Sequence, residues 1–86
     1  MPRYHFDVQD GSGLVLDEEG RELANLEVVR REAIKGIRSL ISAEVEKGTL
    51  DLSGQLTVRD ATGRTVILVR FEEAVSITGS WLAPEQ

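Results

Sequence analysis

The segment Thr65-Val66-Ile67-Leu68-Val69-Arg70-Phe71 constrains this chain more than any other. A strand sends alternate side chains to opposite faces. If Ile67, Val69 and Phe71 point one way, Val66 and Leu68 must point the other. Strands that are apolar on both faces belong to sheets covered on both sides. The remaining sequence must therefore supply two covers, and it offers only one long helix.

That helix is predicted over residues 26 to 47. Leu26, Val29, Ala33, Ile37, Leu40, Ile41 and Val45 recur at steps of three and four and line one face. Asn25 is the expected N-cap, because its side-chain oxygen can accept from a free N–H of the first turn. Glu27 sits near the positive end of the helix dipole. Gly48 suits the left-handed residue that ends a helix. Gly36 is costly in a helix interior, by about 1 kcal/mol against Ala, and its placement suggests a close approach to a sheet.

Other strand signals flank the helix. Tyr4, Phe6 and Val8 alternate with Arg3, His5, Asp7 and Gln9, and Leu14-Val15-Leu16 reads as a hairpin partner. DEEGRE reads as a polar stretch with a turn at Gly20, and KGTLDLSG as a connector. Gln55 to Arg59 alternates again, and Arg64 to Phe71 follows as the last strand. The order is ββαββ, an α+β fold with one helix packed on a small antiparallel sheet. At 86 residues there is one domain, placed over residues 1–78, with a tail at 79–86.

VQDGSGLV and VRDATGRT repeat an Asp-x-x-Gly pattern at Asp10/Gly13 and Asp60/Gly63. Asp bonds backbone N–H groups two residues on, and Gly supplies positive φ, so turn chemistry explains both copies. The calcium alternative draws on oxygens from Asp10, Ser12, Asp17, Glu18 and Glu19. A calcium loop needs oxygen at alternating positions and helical flanks. Here Leu14 and Leu16 interrupt the oxygens and the flanks read as strands.

The combined motifs MPRYxFDV, DG, DEEGxEL, LExxRREA, VRDxxG and VRFEEAV resemble a family of short alphaproteobacterial proteins classed as a domain of unknown function. The similarity spans about residues 1 to 77; His5 replaces the aromatic expected there, and the tail SWLAPEQ is particular to this chain. The resemblance implies a bacterial cytoplasmic protein. It carries no activity, cofactor or catalytic residue.

Several chemistries find no support. With no cysteine, disulfides, thiolate nucleophiles and cysteine metal sites are absent. His5 and Asp7 share a strand face, but a single histidine without a second imidazole or a nucleophile motif reads as outer-face polarity. No catalytic, cofactor or metal residue is assigned, and no enzyme activity is expected. MPRYHFDV has no secretory h-region and no apolar run approaches membrane-spanning length, so a cytoplasmic location is expected.

Arg31, Lys35 and Arg38 share a helix face and could meet phosphates, in the manner of an antitoxin-like or nucleic-acid-associated regulator. A net charge of −5 opposes that. The leading expectation is a small interaction module forming a homodimer or meeting another protein. Val66 and Leu68 form the surface, with Trp81 and Leu82 of the tail covering it in cis or joining it in trans.

Overall fold

In the computed structural model, described for residues 1–78, the first strand, β1 (Arg3–Asp10), is the hub of the sheet. Its alternation works as expected: Phe6 and Val8 join the apolar core, while His5, Asp7 and Gln9 face away. One edge of β1 pairs with β4 (Gln55–Arg59), whose partner is β5 (Thr65–Arg70). The other edge is shared by two short strands. β2 (Gly13–Val15) takes residues 8 to 10, and β3 (Arg21–Glu22) takes residues 3 and 4. The sheet is five-stranded and antiparallel, with the main path β2-β1-β4-β5.

β3 departs from the ββαββ expectation, since DEEGRE read only as a turn. The turn at Gly20 is present, and Arg21 then does two jobs across layers. Its guanidinium stacks 4.4 Å from the Phe6 ring centroid and pairs with Glu32 of the helix at 3.1 Å.

The helix, α1 (Leu26–Glu46), begins where Asn25 Oδ1 accepts from Val28 N at 3.0 Å and ends before Gly48, which has φ +90°. It packs chiefly on β4, β5 and the 3-10 turn Phe71–Glu73. Val29, Ala33, Ile37 and Ile41 are buried, one ridge at steps of four. Leu26, Leu40 and Val45 belong to the expected stripe but are exposed. Length explains the two ends: a helix of 21 residues spans about 31 Å, whereas strands of five or six residues span about 17–20 Å. The helix overhangs the sheet it covers.

The close approach assigned to Gly36 occurs elsewhere. A Cβ on Gly36 would meet nothing within 4 Å. On Gly54 it would lie 2.7 Å from the Phe71 ring and 2.9 Å from Gln9 O. Gly54 lets the connector lie against the ring that closes the core.

The last strand also ends earlier than expected, at Arg70, and Phe71 starts the 3-10 turn while remaining buried. A register shift opposite Val58 and Arg59 leaves Val66 without a direct partner. The bulge corrects the simple alternation. Val66 packs partly against the core, while Leu68 stands on the face away from the helix at 47% exposure.

Candidate functional site

The outer face of the sheet carries one dense polar cluster. Asp7 is only 5% exposed although it faces away from the helix. Arg59 on β4 grips it with both arms: Nε donates to Oδ2, and Nη2 donates to Oδ1 at 3.0 Å. His5 is directly opposite Arg59 in the ladder and Asp7 is its diagonal neighbour, which places the guanidinium within reach.

Asp17 closes the cluster from the chain between β2 and β3. Its N–H donates to Asp7 Oδ1 at 2.9 Å, and its carbonyl lies 2.8 Å from His5 Nδ1 and accepts from Arg59 Nη2 at 3.4 Å. Its carboxylate accepts from Phe6 N at 3.0 Å, Gly20 N at 3.1 Å and Glu19 N at 3.3 Å. Asp17 thus bridges the gap along β1 that β2 and β3 leave open.

The electrostatics follow from these contacts. The Arg59 bond holds the Asp7 carboxyl below its ordinary value, against burial, with the Asp17 amide helping. Burial pushes Asp17 up, but three backbone N–H donors outweigh it and its carboxyl also lies low. Arg59 is raised by the same bond to Asp7. No buried side-chain nitrogen or oxygen among the described residues lacks a partner. A cluster with its donors and acceptors already matched holds a loop on a sheet; that is the work this arrangement performs.

His5 and Asp7 are legible in the sequence as outer-face polar residues, but their partner Arg59 is not, and Asp17 stands out there only as a calcium oxygen. The signal for Arg59 was its outward place beside inward Leu56 and Val58. Using it requires knowing that β1 pairs with β4 and in which register.

The repeated turns are built as expected. Asp10 Oδ1 accepts from Ser12 N at 2.8 Å, and Asp60 Oδ1 accepts from Thr62 N at 2.9 Å and Arg64 N at 3.1 Å. Gly13 and Gly63 both have positive φ, +124° and +90°. Of the oxygens weighed for calcium, those of Asp17 face backbone donors of β1 and of its own loop, and no group of three metal-binding side chains occurs among the described residues. An open hollow lies between the first hairpin and α1, lined by Asp10, Leu40, Glu44, Asp51 and Phe71; it is separate from the Asp7 cluster.

The interface residues divide. Leu68 is exposed on β5, an edge strand with no neighbour on its outer side among the described residues, and Val66 is half-buried beside it. Trp81 and Leu82 lie outside the described residues. On the helix, Arg31 and Lys35 are exposed and make no ion pair among the described residues. Arg38 is anchored instead, its Nε donating to Ala74 O at 2.7 Å. No helix among the described residues is long and apolar enough to cross a membrane.

No curated protein and no solved structure is significantly similar to the chain. The family model described as "Domain of unknown function (DUF6894)" matches residues 3–72, which contain the sheet, the helix and the whole Asp7–Asp17–Arg59 cluster. The chain belongs to that family.

Proposed function

We propose that this protein is a small non-enzymatic interaction module that self-associates, working in a bacterial cytoplasm. The observation that carries the reading is the condition of β5. Six residues rich in β-branched side chains form a sheet edge with an exposed leucine at its centre. Long apolar edges are templates for further strand pairing, and proteins ordinarily shorten, charge or cover them. The opposite edge obeys that rule: β2 has three residues and β3 has two.

The non-enzymatic part rests on the cluster around Asp7, whose acceptors already face internal donors. The setting rests on the family resemblance and the lack of cysteine. The alternative, a nucleic-acid contact along Arg31, Lys35 and Arg38, is weakened because Arg38 is tied to the Ala74 carbonyl.

Light scattering over a concentration series tests the reading. The protein should approach twice its 9.5 kDa chain mass, and Leu68→Lys, which puts a charge on the edge, should return it to monomer. A concentration-independent monomer would overturn self-association. Salt-sensitive binding to mixed-sequence DNA or RNA, lost on Arg31→Ala/Lys35→Ala, would favour the alternative.

A further inference from the structure

We propose that two copies join by antiparallel pairing of β5 with β5, with Leu68 on the two-fold axis, so that the two sheets run on as one. This rests on the self-association reading above and specifies its strand, direction and register.

The direction of the backbone groups supplies the first constraint. Phe71 N donates to Gly54 O at 2.9 Å, and the ladder continues as Gln55↔Arg70, Leu56↔Val69, Thr57↔Leu68 and Val58↔Ile67. In an antiparallel ladder, hydrogen-bonded and non-bonded pairs alternate. The amide groups of Phe71, Val69 and Ile67 therefore turn toward β4, and those of Leu68 and Arg70 turn outward. Arg70 N donates to Glu73 Oε1 at 3.2 Å, which closes that end of the edge, whereas no hydrogen bond among the described residues reaches the Leu68 amide or carbonyl. Leu68 therefore gives a second strand its attachment points.

Charge sets the direction. Arg64 precedes β5, and Glu72 and Glu73 follow it. Arg64 makes no ion pair among the described residues. Antiparallel pairing brings the basic start of one strand to the acidic end of the other, whereas parallel pairing would set like ends together.

Register follows from the same residues. An axis at Ile67 would lay Leu68 beside the partner's Val66, the residue displaced by the bulge. An axis at Val69 would lay Leu68 beside the partner's Arg70. An axis at Leu68 sets the one exposed leucine of the strand against its copy, with the basic start of each strand beside the acidic turn that follows the other. Only this register pairs the two exposed leucines.

The chain has no cysteine, so single substitutions report cleanly. Hydrogen-bonded residues facing each other across an antiparallel pair have Cα atoms about 5.5 Å apart, within disulfide range. Oxidised Leu68→Cys should form a covalent dimer. In an equal mixture of Leu68→Cys with Arg70→Cys, a dominant mixed dimer would place the axis at Val69. With Val66→Cys as the second partner, it would place the axis at Ile67. Either result overturns the register. As a second measurement, Arg64→Glu should raise the dimer dissociation constant several-fold, and Arg64→Glu/Glu72→Arg should restore it. A dimer untouched by both changes and not cross-linked at residue 68 defeats the pairing alone; a wild-type chain monomeric throughout defeats the reading beneath it.

Discussion

The two faces of the sheet are held by different physics. On the helix side, Val29, Ala33, Ile37, Leu56, Val58 and Val69 exclude water, and the contact is non-directional. On the outer side, Asp7, Arg59 and Asp17 match donor to acceptor, bond by bond. The first arrangement depends on volume and tolerates changes of charge state around it. The second depends on ionisation and on register, and it fastens residues 16 to 20, the stretch between β2 and β3. A small domain with few aromatics uses the first for stability and the second to fix a loop.

The comparison breaks most severely at Ile37, which is fully buried. Ile37→Ala should cost about 2–5 kcal/mol, read as a fall in urea midpoint, a large share of what a domain this size possesses. The loss should be nearly independent of pH between about 4 and 7, because no titrating group changes.

Asp7→Ala should cost less, about 2 kcal/mol, since it removes charged hydrogen bonds yet leaves Arg59 able to reach water. Its signature is pH. The folded Asp7 carboxyl lies below the value of about 3.9 expected in an unfolded chain. Its contribution is therefore complete above the unfolded value and disappears as pH falls through the folded one. Acid titration of the urea midpoint should show a decline below about pH 4 that Asp7→Asn flattens. An equal decline in wild type and variant would show that Asp7 is not the acid-sensitive group.

The smallest effects come from two glycines with opposite signs. Gly54→Ala should destabilise by at least about 1 kcal/mol, because the new methyl meets the Phe71 ring and a backbone oxygen. Gly36→Ala should stabilise by about 1 kcal/mol, because the space is open and the helix prefers Ala. Equal signs in thermal melts would mean that the helix lies differently on the sheet.

Much of the fold was legible because its signals are local. The period of the helix, the Asn25 cap and both Asp-x-x-Gly turns depend on residues within a few positions of one another. What escaped was non-local. Arg21–Glu22 has no strand pattern of its own and becomes β3 only by lying against Arg3 and Tyr4. Val66 fits a plain alternation until the bulge displaces it. The exposed Leu40 fits the same helical stripe as the buried Ile41, and only the line of contact with the sheet separates them.

The sequence by itself determined the α+β class, the helix with its cap and stop, the two tight turns, and the outward placement of His5 and Asp7. Those features arise from backbone preference and hydrophobic period, which act over a single turn or a few strand residues. Tertiary structure alone decided that Asp7 is buried against Arg59, that Asp17 bridges the open length of β1, and that β5 is an edge of the sheet among the described residues. Each of these depends on which strand lies beside which, and in what register, a choice made by contacts between residues as far apart as Asp7 and Arg59.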